Sequence, residues 1–136
     1  MAYFLAKTEP GTYSIGDLER DGETVWDGVK NAAALLAIRA MQPGDIVLIY
    51  HSGGESAIVG TAEVISKPRP DTNVPKSWVA DVRYRGRVAP PVTLRQVKES
   101  GKFADFALVR QSRLSTMAVP QAFIDWLRSE HGAAIP

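Results

Sequence analysis

Residues 43–54 read PGDIVLIYHSGG, and this stretch decides the fold. Residues 46–50 form a continuous apolar run rich in β-branched side chains, and the turn residues on both sides leave too little room for a helix. The run is therefore predicted to be a buried central strand. Residues 57–65 are predicted to form the next strand, and the two strands to form a hairpin.

On the N-terminal side, the pattern predicts one strand and two helices. Residues 3–6 form the short strand. Ser14 offers a hydroxyl cap to a short helix, and Asn31 offers a side-chain cap to a second helix over residues 32–41. Trp26 is expected in the turn that leads into this second helix.

On the C-terminal side, residues 78–85 alternate between apolar and polar side chains, which is the period of a half-buried strand. The other elements predicted here are a loop over residues 67–77, a short helix over residues 93–100, a strand within residues 107–115 and a terminal helix from Pro120 to about residue 130.

Short helices between several strands argue for an α+β fold, in which a curved mixed sheet or small barrel carries flanking helices. The 136 residues fit one domain, and no internal repeat or linker divides them. A chain of this length buries roughly two-thirds of its unfolded surface, so residues 1–136 are expected to form a single domain with its own core.

The composition excludes several kinds of covalent and metal site. The chain has no cysteine, which excludes disulfides and thiolate metal sites, and its only histidines are His51 and His131. We therefore expect no metal. The N-terminal residues lack the pattern of a signal peptide or membrane span, so a cytoplasmic protein without membrane contact is expected. The sequence does not give the oligomeric state, and a monomer is assumed.

Charge is unevenly distributed along the chain. Residues 83–113 carry eight basic residues against two acidic ones, whereas residues 1–82 carry seven against eleven. Such a basic block can attract a polyanion, although it is equally compatible with a solvated surface that has no partner. Arg83 and Arg85 lie on the polar face of the strand predicted over residues 78–85.

Two clusters combine an aromatic or charged side chain with a turn. Lys7-Thr8-Glu9-Pro10 follows the first strand, where it can line a pocket mouth or form a charged loop. Trp26-Asp27-Gly28-Val29-Lys30-Asn31 precedes the second helix. An indole at this position can offer its face to a base, or it can simply close the core.

Two further clusters carry hydrogen-bonding groups. Tyr50-His51-Ser52 ends the central strand, but adjacent residues on a strand point to opposite faces, so this His and Ser cannot form a catalytic pair. Arg110-Gln111-Ser112-Arg113-Leu114-Ser115 offers amide and hydroxyl groups suited to a base edge and guanidinium groups suited to phosphate. It is also compatible with a polar surface strand.

As an ordered set, these clusters resemble the EVE domain of the PUA-like superfamily. The matching stretches are residues 5–10, 13–14, 26–31, 41–45, 50–52, 58–60, 91–94 and 109–115, in family order over nearly the whole chain. The resemblance implies a PUA-like pseudo-barrel that binds a modified base of DNA or RNA, with no cofactor and no established catalysis. The similar YTH domain takes a methylated base into an aromatic cage.

With this resemblance, the base is expected to stack on Trp26 or another aromatic ring and to meet polar groups at its edge. The ligand-binding residues are then expected to be Lys7, Thr8, Glu9, Pro10, Tyr13, Trp26, Asn31, Tyr50, His51, Ser52, Arg110, Gln111, Ser112, Arg113 and Ser115. Arg83 and Arg85 are expected to contact phosphate.

One departure from the family pattern lies after Asn31. The family usually continues with Ala-Arg-Asn, whereas this chain has Ala32-Ala33-Ala34. The change is expected to affect ligand specificity or affinity but not the fold, because alanine is a good helix former.

Two other functions remain open from the sequence. One is an enzyme acting on a nucleotide or modified base, with Glu9 or His51 as the acid or base. The other is a small-molecule or protein interaction domain on the same scaffold, because fold does not fix function.

Overall fold

The computed structural model describes all 136 residues, which form seven strands and five helices. The strands are β1 (Tyr3–Thr8), β2 (Glu23–Trp26), β3 (Ile46–His51), β4 (Ala57–Val64), β5 (Arg69–Pro70), β6 (Trp78–Thr93) and β7 (Thr116–Val119). The helices are α1 (Ile15–Asp21), α2 (Ala32–Ala40), α3 (Leu94–Glu99), α4 (Ala107–Arg110) and α5 (Gln121–His131).

The strands form one mixed sheet in the order β2-β6-β4-β3-β1-β7, and β5 pairs with the start of β6. β1 and β3 are parallel, whereas every other pair is antiparallel. The predicted central strand and its hairpin with β4 are confirmed. The α+β fold with a curved mixed sheet and short flanking helices is confirmed as well.

β6 is longer than the alternation over residues 78–85 predicts, because it runs for 16 residues to Thr93. β4 pairs with β6 between Val82 and Thr93, and β2 pairs with residues near the start of β6. The far end therefore lacks a second neighbour, and an edge of this kind tolerates the two prolines at Pro90 and Pro91.

Residues 107–115, predicted to include a strand, contain none. Residues 107–110 form α4, a turn follows, and the strand β7 begins only at Thr116. Tertiary packing explains the difference, because Leu108 is buried and the Phe106 ring packs 4.8 Å from that of Phe123 on α5. The polar alternation in this segment therefore does not reflect a pleated backbone.

The prediction of a turn at Trp26 is also wrong. Trp26 is the last residue of β2, opposite Ala80 of β6. The strand is only four residues long and its side chains alternate between exposed and half-buried, so it carries no apolar run that sequence patterns detect.

The hydrophobic core is one cluster of 33 buried residues drawn from elements throughout the chain. β1, β3 and β4 supply its centre, and α5 closes one side with Phe123, Ile124 and Leu127. None of the helices combines the length and the apolar character that crossing a bilayer requires.

Candidate functional site

A pocket of about 420 Å³ lies between the C-terminal ends of β1 and β2. Its wall consists of Lys7, Thr8, Thr12, Tyr13, Thr24, Val25, Trp26, Asp27, Gly28, Val29 and Ser115. β2 is one edge of the sheet, and Ser115 directly precedes β7, the other edge. The curvature of the sheet thus brings its two edges to the same cavity.

The first wall is built at the end of β1. The Lys7 amide donates to the Ser115 carbonyl oxygen at 2.8 Å, which fixes Ser115 against β1. The Thr8 hydroxyl donates to the Tyr13 carbonyl oxygen at 2.8 Å. This bond closes the turn after β1 and sets the Tyr13 ring at the pocket.

The opposite wall is β2 and the loop that follows it. Trp26 is half-buried and packs against the core, while Val25 beside it remains 44% exposed. Gly28 has a φ of +75°, a conformation that side chains with a Cβ rarely adopt. The buried Ser77 hydroxyl donates to the Val29 carbonyl oxygen at 2.7 Å, so the loop is fixed to the start of β6.

Lys7 is the cation of the pocket. Its Nζ donates to the Ser112 carbonyl oxygen at 3.0 Å and lies 5.5 Å from the centroid of the Tyr50 ring. Burial lowers the pKa of Lys7, because desolvation penalises the ammonium form. An ammonium group has three N–H donors, so two remain for a bound group.

Tyr13 presents its ring to the pocket, and its hydroxyl donates to the Asp21 carboxylate at 3.0 Å. Burial raises the pKa of Tyr13, and the Asp21 carboxylate adds to the effect. The hydroxyl therefore stays protonated and anchors the ring to the end of α1.

The Tyr50-His51-Ser52 segment supports the site from behind and does not line it. Tyr50 is only 2% exposed. His51 Nε2 accepts a hydrogen bond from the Ile15 amide at 3.0 Å, and the Ser52 hydroxyl donates to the Thr8 carbonyl oxygen at 3.4 Å. Burial lowers the pKa of His51, with a further contribution from Arg87, so the ring remains a neutral acceptor that positions α1.

Two other residues predicted to bind ligand at this end of the molecule, Glu9 and Pro10, are exposed on the turn after β1 and lie outside the pocket wall. Asn31 also lies outside it. Its side-chain oxygen accepts from the Ala33 amide at 2.8 Å and from the Ala34 amide at 3.2 Å, so Asn31 is the N-cap of α2.

Replacing Asn31 by alanine is expected to lower the free energy of unfolding by about 1 kcal/mol, because two amides of α2 lose their acceptor. Asn31→Asp keeps an acceptor and should stay close to the parent protein. Chemical denaturation of the three proteins measures the difference. Equal stability of the alanine and aspartate variants would contradict the capping role.

The predicted arginine contacts do not converge on the pocket. Arg83 lies 3.9 Å from the Glu23 carboxylate, Arg85 pairs with Glu63, and Arg110 lies 3.5 Å from Asp105. Gln111, Ser112 and Arg113 are exposed in the turn between α4 and β7. Of this cluster, the Ser112 carbonyl reaches Lys7, and Ser115 lines the pocket.

The structure thus brings together five of the predicted site residues, Lys7, Thr8, Tyr13, Trp26 and Ser115. It adds wall residues that the sequence patterns do not indicate, namely Thr12, Thr24, Val25, Asp27, Gly28 and Val29. Three of these, at positions 27–29, lie within the Trp26–Asn31 stretch, so the motif itself could have identified them. Thr24 and Val25 are identified only once β2 is placed at the sheet edge, and Thr12 only once the turn after β1 is placed beside it.

All residues of the pocket wall lie within a stretch of the chain that matches a family model. The family model described as EVE domain matches residues 2–130. The chain belongs to the EVE domain family. The resemblance drawn from the ordered sequence stretches is thereby confirmed.

Two solved structures share the fold over nearly their whole length, and one relative matches in sequence over most of its length. A crystal structure of an Agrobacterium tumefaciens protein is 31% identical, with a TM-score of 0.92 over 100% of this chain and 97% of the other. Human THYN1, in complex with DNA that contains 5-methylcytosine, is 23% identical, with a TM-score of 0.87 over 99% and 100% of the two chains. Thymocyte nuclear protein 1 of Rattus norvegicus is 26% identical over 93% of this chain and 72% of its own length.

Proposed function

We propose that this EVE domain binds nucleic acid, DNA or RNA, and takes a modified base into the pocket between β1 and β2. The observation that carries the proposal is the convergence of an aromatic side chain, a cation and several hydroxyls in one cavity at the two sheet edges. Its volume of about 420 Å³ falls in the range of small-molecule sites. The proposal takes residues 1–136 as one binding domain.

Trp26 provides the stacking surface in this proposal. The β2–β6 pairing and the Ser77–Val29 hydrogen bond fix the backbone on both sides of the indole. A base stacked on an aromatic side chain gains about 1–3 kcal/mol, largely independent of base identity.

Asp27 and Lys7 supply opposite hydrogen-bonding character at the edge of the base. A carboxylate accepts from an exocyclic amino group such as N4 of cytosine, and an ammonium donates to ring nitrogens and carbonyl oxygens. The pocket contains both groups on facing walls, one after β2 and one at the end of β1. This pairing suits a base that presents a donor next to acceptors.

The relatives support the choice of ligand. Human THYN1 shares this fold and has been crystallised with DNA that contains 5-methylcytosine. A 5-methylcytosine oligonucleotide is therefore the first ligand to test on the pocket of this chain.

The proposed activity is binding without chemical conversion. His51 is a candidate acid or base from the sequence, but its Nε2 is engaged by the Ile15 amide. Glu9, the other candidate, is exposed outside the pocket wall. Neither residue is positioned to transfer a proton within the pocket, so the geometry does not favour the enzymatic alternative.

Indole N–H signals in NMR spectra test where the base binds. The chain has three tryptophans, and single Trp→Phe variants assign their signals. Addition of a short 5-methylcytosine oligonucleotide should shift the Trp26 signal and leave that of Trp126, which packs against Phe103 and Phe123 in the core, in place. Saturable binding that leaves the Trp26 signal unmoved would contradict the proposal.

Affinity should fall as pH rises toward about 10.4, the ordinary pKa of lysine, because Lys7 loses its proton below the pH at which a solvated lysine does. The ammonium is the form that donates to the base, so affinity is lost when Lys7 is deprotonated. Because burial lowers the pKa of Lys7, this loss occurs at a lower pH than it would with a solvated lysine. Lys7→Arg should remove this dependence, since a guanidinium stays charged over this range.

Binding titrations of the parent protein, Lys7→Arg and Lys7→Gln at each pH make the measurement. The parent should converge on Lys7→Gln as pH rises. A ratio of the two affinities that stays constant over the whole range would contradict the role of the Lys7 ammonium.

A further inference from the structure

We propose a second nucleic-acid contact, for a backbone phosphate, in a cavity at the C-terminal end of α2. The inference rests on the proposed function, since the phosphate belongs to the strand whose base enters that pocket. The cavity, called here the Arg39–Trp78 cavity, has a volume of about 420 Å³. It is lined by Arg39, Met41, Gln42, Pro43, Lys67, Pro68 and Trp78.

Arg39 differs from most arginines of this chain in its partners. Seven of the ten arginines lie within 4.0 Å of a carboxylate, namely Arg20, Arg69, Arg83, Arg85, Arg87, Arg95 and Arg110. Arg39 has none, and its guanidinium instead lies 4.7 Å from the centroid of the Trp78 ring. Contact with the ring positions the guanidinium, while no protein acceptor uses its N–H groups.

Lys67 adds a second cation to the same wall, and no acidic side chain lines the cavity. The acids nearby are already engaged. The buried Asp45 carboxylate accepts from the Ala2 amide at 3.0 Å and the Gln42 amide at 2.9 Å, and Asp81 pairs with Arg69 at 2.9 Å. Two uncompensated cations beside an apolar wall form a site for a phosphate group.

The cavity lies within reach of a strand bound at the base pocket. Trp26 pairs with Ala80, and Trp78 is two residues before Ala80 on the same face of β6. The loop after Trp26 is fixed to the residue before Trp78 by the Ser77–Val29 hydrogen bond. α2 begins after that loop and carries Arg39 in its last turn, and its nine residues span about 13 Å.

The sequence places its basic block at residues 83–113, whereas the structure neutralises much of that block with carboxylates. Arg39 and Lys67 come from the net acidic part of the chain, residues 1–82. The two cations without carboxylate partners in the Arg39–Trp78 cavity therefore point to a phosphate contact that charge counting along the sequence does not locate.

The double variant Arg39→Gln/Lys67→Gln tests the inference. It removes two charges and keeps much of both aliphatic stems. We expect about tenfold weaker binding of a short 5-methylcytosine oligonucleotide, and the same weakening for its plain copy, because phosphate contacts do not read the base. The slope of log K against log salt should shrink by about 1 for each phosphate that no longer meets a cation.

Arg95→Gln/Lys98→Gln on α3 is the matched control, since it removes the same charge from an exposed helix outside both cavities. It should change affinity less than twofold, and thermal melts confirm that both variants remain folded. Equal weakening in the two double variants would overturn the inference. Weakening confined to the modified oligonucleotide would also overturn it, because Arg39 would then act in base recognition.

Inorganic phosphate alone distinguishes a strand contact from a site for a free anion. It should not saturate a shift of the Trp78 indole signal below about 1 mM, and saturation there would reassign the cavity to a free anion and overturn the inference. Failure of the proposed function has a different signature. The parent protein would then show no preference between the two oligonucleotides, while the effect of the Arg39/Lys67 double variant on the plain copy would persist.

Discussion

Replacing Trp26 by alanine is expected to weaken binding of a 5-methylcytosine oligonucleotide by about 1–3 kcal/mol, which is roughly 5- to 150-fold in Kd. The indole is the largest flat surface in the pocket wall, and its removal leaves the base without a stacking partner on that side. The preference for the modified base should disappear together with the affinity, because a base that is not held against the ring no longer presents its edge to the hydrogen-bonding groups of the pocket. Isothermal titration at fixed salt measures both.

Trp26→Phe is the matched variant, because it keeps an aromatic face in the same place on β2. It should retain most of the affinity and the preference. Trp26 also packs against the core, so the melting temperatures of both variants are compared with that of the parent protein. A folded Trp26→Ala protein that still discriminates between the two oligonucleotides would contradict the stacking role.

Replacing Gly60 by alanine is expected to lower the free energy of unfolding by about 1–3 kcal/mol. A Cβ on this residue of β4 would overlap Ile15 Cδ1 and would lie 2.7 Å from Ile15 Cγ1 and 2.9 Å from the Gly86 carbonyl oxygen. Ile15 is 3% exposed and begins α1, so it has little free space into which it can move. The helix must shift away from the sheet, which stretches the hydrogen bond between its first amide and His51.

Gly86 on the neighbouring strand β6 provides the control. A Cβ there would have its nearest neighbour, the Thr61 hydroxyl oxygen, at 3.9 Å, which is ordinary contact. Gly86→Ala should therefore leave the stability unchanged or slightly raised, since alanine costs less backbone entropy in a strand than glycine. Urea denaturation of the two variants measures the difference. A loss of stability in Gly60→Ala alone indicates close packing at position 60, whereas an equal loss in both variants would indicate that this part of the sheet tolerates no side chain.

Local patterns in the sequence predict the elements that bury one face or carry a cap. The apolar run over residues 46–50 predicts β3, and the cap at Asn31 predicts the start of α2, because each signal lies within or directly before the element that it defines. The strand β2 escapes prediction, since four residues with two exposed side chains carry no periodic signal. Local sequence patterns therefore do not predict β2, the edge strand that forms one wall of the pocket.

The arginine stripe shows a second limit of sequence reasoning. Arg83 and Arg85 alternate along the polar face of one strand, and their charge is visible in the sequence. Their carboxylate partners, Glu23 and Glu63, lie far away along the chain and arrive through the β2–β6 and β4–β6 pairings. Whether a basic cluster is free to bind a ligand depends on the register in which the strands pair, and local sequence patterns do not predict that register.

Residues 107–115 show how packing overrides a pattern. The alternation of polar side chains favours a strand, but Leu108 is buried and the Phe106 ring packs against Phe123 of α5, which is compatible with a single helical turn. The prediction places the strand a few residues too early. Ser115 still reaches the pocket because it directly precedes β7, which pairs with β1.

The central claim is that the pocket recognises a modified base. It is tested most directly by titrating the purified domain with short oligonucleotides that differ only in one 5-methylcytosine, at fixed physiological salt. We predict a preference of about tenfold or more for the methylated oligonucleotide, which is about 1.4 kcal/mol. Equal affinity for both, falling steeply as salt rises, would show binding through charge alone and would contradict the claim.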